Sequence, residues 1–389
     1  MHTIIVLGSG YAGLCATTIL AARTSDRDDV HITLINAAER FTERLRLHQT
    51  ASGQELAELR ITDLLAGTEV EFVCGWVTGI DAAARTVRVD DERVLSYDTL
   101  VYALGAVADT TAVPGVDDHA YTLNSAQDAE LLAAKLTALD RQSAGTVAVC
   151  GSGLTGVEAA AEIAERHPDL DVVLLGREQP GARMAPKSRA YLDAALHRLG
   201  VRVRGGVKIT KVLPESVELS GGESVAADVV LWTSGVRVSP LAAAAGLEVD
   251  ERGRISTDGA LRSVSHPEVY AVGDAAAVRQ AFGVMHGTCQ GGMPTGVHAA
   301  GSIVRGLNGK QPKAFRFGYL HMPVSLGRHD AVIQFTHPDD SPTRFYLTGR
   351  RATWYKETVS SSPWPSFQRM LKFPAVGVFA WRRGGRYTR

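Results

Sequence analysis

The chain opens on a continuous apolar run at residues 3–7, then a glycine-rich turn, then an apolar-rich helical stretch over about 12–22. A strand that is apolar at every position, rather than every second one, fits a parallel sheet covered on both faces. Further strands are predicted at 30–35, 70–76, 86–89 and 99–103. The composition shifts near 109–115, where Pro114-Gly115 marks a crossover. The pattern then restarts, with a helix over 124–140, a strand at 146–150, a helix over 155–166, a strand at 172–175 and a helix over 188–199. Strands near 201–203, 207–213 and 217–219 precede a closing strand at 228–232, and the chain returns to its first unit at about Gly235. A strand at 269–272 ends in Gly273-Asp274, and a helix is expected to begin near Pro294 and reach about Arg305. Beyond Gly309 the short runs 334–335, 344–347 and 352–354 predict an antiparallel sheet.

The two strand–turn–helix units carry the same turn: Gly8-Ser9-Gly10-Tyr11-Ala12-Gly13 and Gly151-Ser152-Gly153-Leu154-Thr155-Gly156. One such turn is a weak signal. Two, each after an apolar strand and each opening a helix, imply two dinucleotides on one chain. The first glycine allows the tight bend, the second lets a pyrophosphate approach the backbone, and the third lets helix and strand pack closely. The phosphates then face free N–H groups at a helix N-terminus. Asn36 ends the second strand, where an acid usually binds ribose hydroxyls, and its amide offers a softened version of that contact. Asp274, at the end of a buried strand, can fix a ribityl chain; alone it could equally be a surface Gly-Asp turn. The strands ending at Ala103-Leu104-Gly105 and Thr233-Ser234-Gly235 have the small-residue exits expected where the chain passes between domains.

Composition narrows the class. The chain has 389 residues, enough for two or three domains, and a formal net charge of −1, which gives no argument for nucleic acid. Cys15, Cys74, Cys150 and Cys289 are far apart, without CxxC or zinc spacing, so no metal site is expected and a reduced cytoplasmic setting is the default. The N-terminus has no basic segment and its apolar run is broken by Gly8-Ser9-Gly10, unlike a signal peptide. No stretch approaches the ~20 apolar residues of a membrane span.

These features together resemble the two-dinucleotide-binding flavoproteins of the pyridine nucleotide-disulfide oxidoreductase superfamily, and within it the type II NADH dehydrogenase-like branch. The residues that carry the resemblance are the two glycine turns, the segments 97–105 and 231–236, and the Gly273-Asp274 strand, spanning roughly residues 1–310. The resemblance implies FAD at the first turn, contacted by Gly8, Gly10, Tyr11, Ala12, Gly13 and Asn36. Arg44, Val77, Ala103, Gly105, Gly273, Asp274, Pro294 and Thr295 would complete that site. It implies NADH or NADPH at the second, through Gly151, Gly153, Leu154, Thr155, Gly156, Arg177, Ser234 and Gly235. The redox cysteine pair of the disulfide reductases is absent: residues 36–49 contain no Cys. The second strand ends in Gly176-Arg177 rather than an acid, which removes repulsion toward a 2′-phosphate. Arg177, with Arg183, can bind such a phosphate, which favours NADPH; as an exposed loop charge, Arg177 would leave either donor open.

Glu158 and Glu162 share one helical face. In related proteins an acid at the Glu158 position reaches the flavin–nicotinamide junction, as carboxamide anchor or proton relay; a solvated helix acid is the plainer account, and suits Glu162 better. Relatives that reduce quinones carry paired Gln residues near the flavin. Here Gln290 and Met293 line the expected acceptor site, but Pro294 stands in place of the second Gln. Pro294 and Thr295 read as a helix start whose positive end would face the flavin. Cys289 is a flavin-proximal thiol or a core residue. Arg44 and His48 lie near the flavin or on an exposed helix face, and His286 is a weaker acid–base candidate.

The last stretch interleaves Trp364, Phe367, Phe373, Phe379 and Trp381 with Arg369, Lys372, Arg382, Arg383, Arg386 and Arg389. Three roles stand open: packing on the body, docking to anionic lipid at the inner membrane face, or an oligomer or protein contact. The expected fold is α/β with three parts. A discontinuous FAD domain (1–112 and 236–309) holds an inserted NAD(P)H domain (113–235), and a C-terminal α+β cap follows (310–389). The expected reaction passes a hydride from NAD(P)H to flavin and onward to a quinone-like small molecule. A ferredoxin-like carrier is the alternative acceptor, and a non-enzymatic nucleotide-binding redox sensor the distant one.

Overall fold

The computed structural model describes residues 1–142 and 145–375. The basic aromatic residues Phe379, Trp381, Arg382, Arg383, Arg386 and Arg389 lie outside the described residues.

Two parallel sheets organise the chain. The first runs, in spatial order, Val269–Ala271, Thr99–Tyr102, His2–Leu7, Val30–Asn36 and Val70–Cys74. It takes strands from both sides of the second, whose order is Arg202–Gly205, Asp171–Gly176, Thr146–Cys150 and Val229–Trp232. The chain leaves through Ala106–Ala108 and comes back through Val236–Val238, and these two strands pair antiparallel. Continuous apolarity in the central strands is explained by cover on both faces: Ile4, Val6 and Leu7 are fully buried, as are Val147, Ala148, Val149 and Cys150.

The helices Tyr11–Arg23 and Cys289–Leu307 lie against each other beside the first sheet. A Cβ at Gly296 would overlap the Ala12 carbonyl, so glycine there sets how closely they approach. Three antiparallel strands, Val77–Asp81, Thr86–Val89 and Arg93–Ser96, form a side sheet.

The C-terminal part differs from the expectation at 352–354. Its sheet is His321–Ser325, Ala331–Thr336 and Pro342–Thr348. The expected strand at 352–354 is instead part of a helix, Gly349–Ser361. Ala352, Lys356 and Ser360 recur every fourth residue and are all buried, so the helical period wins over the β-propensity of a short aromatic run. Pro363 and Pro365 lie in the first turn of the last helix, Pro363–Lys372, where the missing N–H is not needed. That helix buries Phe367 and Met370 in the core of the first sheet. The strand residues Met322, Val324, Leu326 and Val332 join the core of the second sheet. The C-terminal part therefore spans both dinucleotide units.

Phe367 is fully buried and meets Phe41 edge-on at 5.4 Å. Phe367→Ala is expected to remove about 3–5 kcal/mol of stability, with Phe367→Leu retaining most of it. A lower denaturant midpoint for the alanine variant checks this; equal midpoints would show that the last helix does not depend on this packing.

Candidate functional site

The first glycine turn is fixed by packing at its ends and open in its middle. Gly8 has a φ of +93°, and a Cβ on it would sit 2.6 Å from the Ala103 carbonyl. A Cβ on Gly13 would overlap the Gly8 carbonyl, whereas around Gly10 nothing lies within 4 Å. The helix that follows has no side-chain cap and no acid in its first turn, so its N–H groups and positive end remain free for a diphosphate. Asn36 is already engaged: its Oδ1 accepts from the Ser9 N–H at 3.0 Å and its Nδ2 donates to the Ala38 carbonyl at 2.7 Å. It thus holds the turn against the strand end, a role beyond the ribose contact expected of it.

Around this turn, Arg44 donates to the Ala106 carbonyl at 2.9 Å. Asp274 is half-buried; burial raises its carboxyl, against the opposing charges of Arg44 and Arg254. Gly273 N–H donates to Thr295 Oγ1 at 2.9 Å, which ties the Gly273-Asp274 strand end to the helix Cys289–Leu307. Tyr11 packs edge-on against Phe41, and its hydroxyl accepts from the Leu45 N–H. Val77 is buried in the core of this unit, while Gly105, with φ +65°, has open space beside it.

The second turn repeats the design. A Cβ on Gly156 would overlap the Gly151 carbonyl, and Gly153 has open space. Its helix, Leu154–Arg166, is also uncapped and free of acids in the first turn. Gly176 has a steric reason of its own: a Cβ there would run into Ser152, whose hydroxyl donates to the Glu178 carbonyl at 2.7 Å. Arg177 is exposed at the rim of the cleft below, whereas Arg183 is ion-paired with the buried Asp340.

A cleft of about 1180 Å³ starts at this turn, with Leu154, Thr155, Ser234 and Gly235 on its wall. Glu158, Cys289, Gln290, Met293 and Lys356 also line it, with Val359, Pro363 and Met370 of the C-terminal helices. His286 also lines it, stacked on Tyr319 at 4.3 Å, and burial pushes its imidazole down to about 4.

The helix beside the flavin site begins five residues before the expected start. It runs Cys289–Leu307, with Thr288 as N-cap, its side chain accepting from the Gly291 N–H. Pro294 lies inside the helix and is not its first residue. The cap hydroxyl and the small Gly291-Gly292 pair let the helix start early; the positive end therefore lies at 289–291. Gln290 donates to the His321 carbonyl at 3.0 Å and accepts from the Leu320 N–H at 2.6 Å, so it fastens the C-terminal sheet to this helix. Burial pushes the Cys289 thiol up to about 11, which makes it a poor nucleophile at neutral pH.

Glu158 and Glu162 are both buried, so the solvated-acid account of Glu162 fails. Residues 47–51 and the C-terminal part cover the helix face that the sequence left without a partner. Glu158 Oε1 lies 2.6 Å from Lys356 Nζ and accepts from the Ser325 N–H at 3.1 Å. Burial alone would raise this carboxyl; Lys356, aided by His48 and the Ser325 N–H, outweighs it and holds the acid below its ordinary value. His48 is not on an exposed face either: it is buried between the two glutamates, 3.9 Å from each. Lys356 was missed in the sequence because its segment reads as a strand; the buried spacing Ala352, Lys356, Ser360 is the signal that could have found it. Asp340 gave no such signal, because a tight-turn aspartate is indistinguishable in sequence from a buried ion-pair partner.

Two open, uncapped glycine turns stand on one chain, and a large cleft begins at the second, the arrangement of a two-dinucleotide oxidoreductase. Residues 2–302 match the pyridine nucleotide-disulphide oxidoreductase family, and the chain belongs to it. It is an enzyme of the oxidoreductase class, with FAD as its flavin and NADH or NADPH as its donor. It is 31% identical over 352 residues to an NADH dehydrogenase-like protein of Mycobacterium tuberculosis, covering 85% of this chain and 87% of that one. It is 30% identical over 414 residues to a type II NADH:quinone oxidoreductase of Staphylococcus epidermidis, covering 98% of each. In fold it matches the sulfide:quinone oxidoreductase of Aquifex aeolicus with a TM-score of 0.80 at 18% identity, over 97% of this chain and 94% of that one.

The open space at Gly10 fits a diphosphate and would be filled by a side chain. Gly10→Val is expected to give folded protein that lacks flavin absorbance after purification. Retention of FAD at the wild-type stoichiometry would place the cofactor elsewhere.

Proposed function

We propose that this chain is an FAD-dependent NAD(P)H:quinone oxidoreductase, catalysing NAD(P)H + H⁺ + quinone → NAD(P)⁺ + quinol. The observation that carries this reading is the single cleft that begins at the second glycine turn, passes a buried Glu158–Lys356 pair and ends among apolar side chains. Its donor end suits a nicotinamide nucleotide and its far end suits an aromatic apolar acceptor. Full-length similarity to a type II NADH:quinone oxidoreductase supports the same assignment.

FAD, which the first glycine turn would hold, would supply the two-electron chemistry between donor and acceptor. The chain's own contribution is position and charge. The turn at Gly151–Gly156 holds the donor diphosphate on the N-terminus of its helix. Arg177, exposed at the cleft rim, would be available to a 2′-phosphate of the donor. The positive helix end at 289–291 would favour negative charge on a flavin held nearby. Lys356 stabilises charge developing on the acceptor oxygen, and the Glu158 carboxylate beside it relays a proton there.

Among the described residues no helix is long and apolar enough to cross a membrane. The far end of the cleft opens beside Arg369, and Lys372 and the exposed Phe373 follow on the same segment. We propose that this surface rests on an anionic lipid face, which would bring a hydrophobic quinone to the opening. Salt-sensitive co-sedimentation with anionic but not neutral vesicles is the expected result.

Anaerobic stopped-flow reduction with NADPH and with NADH, followed by oxidation with a naphthoquinone, tests the reaction. Rapid oxidation by the quinone is expected; oxidation only by a ferredoxin-like protein would overturn the reading. Arg177→Glu is expected to lower NADPH kcat/KM by about tenfold or more relative to NADH, since it replaces a phosphate partner with a like charge. An unchanged preference would remove Arg177 from the donor site. Glu158→Gln is expected to slow the acceptor step by about a hundredfold while the donor step keeps its rate.

A further inference from the structure

Quinone reduction consumes one solvent proton per turnover. The hydride carries two electrons and one proton, and the quinol needs two of each. Glu158 is buried apart from its face on the cleft, which substrates seated there would cover. The structure offers another route behind it.

His48, on the short helix Leu47–Ala51, stands between the two acids of the helix Leu154–Arg166. Its Nδ1 lies 3.9 Å from Glu158 Oε2, and its Nε2 lies 3.9 Å from Glu162 Oε1 and 3.3 Å from Ser325 Oγ. Glu162 Oε2 accepts from Gln54 Nε2 at 3.1 Å, whereas the buried Oε1 has no hydrogen-bond partner. Arg328 Nη1 lies 3.6 Å from that oxygen and 3.0 Å from Glu357 Oε1, and Arg328 and Glu357 are both part-exposed.

We infer that His48 and Glu162 form a proton path from solvent at Arg328 to the cleft carboxyl of Glu158. This rests on the quinone reading above. As charge develops on the quinone oxygen, the Glu158 carboxylate takes the Nδ1 proton of His48 and passes a proton to that oxygen, ending as it began. His48 in turn gains a proton at Nε2 from Glu162. Water beside Arg328 and Glu357 reprotonates Glu162, and the imidazole resets by tautomer exchange. No net charge stays on the ring, and the electrons all come from NAD(P)H.

The charged surroundings fit these roles. His48 is faced by Glu158 and Glu162 from one helix, by Lys356 and Glu357 from the helix Gly349–Ser361, and by Arg328 from the loop between strands. Burial pushes its imidazole down to about 4, so it stays neutral, with one nitrogen donating and one accepting. Glu162 is faced by Arg328, Glu165 and Glu158, and burial pushes its carboxyl up to about 7. It holds a proton below that pH and loses it above, so quinone turnover falls as pH rises through about 7.

The test uses the full-length, FAD-loaded enzyme with menadione, which takes up protons, and ferricyanide, which takes electrons alone. Glu162→Gln and His48→Gln are each expected to lower the menadione kcat by about tenfold or more. Glu162→Gln abolishes the pH limb near 7, and Glu162→Asp restores part of both rate and limb. Ferricyanide turnover and anaerobic reduction by NAD(P)H keep their wild-type rates. Unchanged menadione kcat and pH profile in both glutamine variants would overturn the path while leaving the quinone reading intact. A parallel fall in ferricyanide turnover would also overturn it, because the residues would then be structural. A wild-type enzyme that reduces ferricyanide but no quinone would instead sink the acceptor assignment, and the path with it.

Discussion

A buried ammonium 2.6 Å from a buried carboxylate joins the helix of the second glycine turn to the C-terminal helix Gly349–Ser361. Desolvating both ions is unfavourable, and their attraction offsets this only if neither is left alone. Removing one partner from such a pair typically costs about 3–5 kcal/mol. The Lys356–Glu158 pair therefore does more than close a gap. It fixes the C-terminal part over the cleft and keeps the carboxylate charged in an apolar wall. The Ser325 N–H bonds the same carboxylate, so one oxygen holds both the sheet and the helix of the C-terminal part.

The two dinucleotide units share one physical solution with different neighbours. In each, the third glycine lies against the carbonyl of the first, and the middle glycine faces open space. Around the first turn the surrounding contacts come from the same unit, through Asn36 and Thr295. Around the second, the cleft wall is completed by residues from far along the chain, including Tyr319, Lys356 and Met370. The first turn is thus framed by its own unit, and the second opens on a cleft shared with the C-terminal part.

Both sheets and both turns were legible in the sequence because they follow from local pattern. A strand apolar at every position, a glycine turn and a helix are set within about thirty residues of one another. The inserted topology could also be read, because Pro114-Gly115 and Thr233-Ser234-Gly235 interrupt the pattern at both crossings. The helix start at Cys289 was not legible. Pro294 is a strong local signal for a first turn, but Thr288 caps the helix earlier and the glycines between impose no clash. Glu162 and His48 were misjudged for a different reason. A charge on a helix reads as solvated unless the partner that covers it is known, and here the partners come from residues 47–51 and 325–360.

The same cover explains why the acids were kept distinct rather than merged into one site. Glu158 has a full ammonium beside it and is held in its charged form. Four residues along the same helix face, Glu162 has only a more distant guanidinium, and burial dominates. Two identical side chains one turn apart are thereby driven in opposite directions by which C-terminal cation reaches them. The charged acid lines the cleft beside its ammonium, and the proton-holding acid lies toward the part-exposed Arg328 and Glu357; on the proposed path a proton moves from the second to the first.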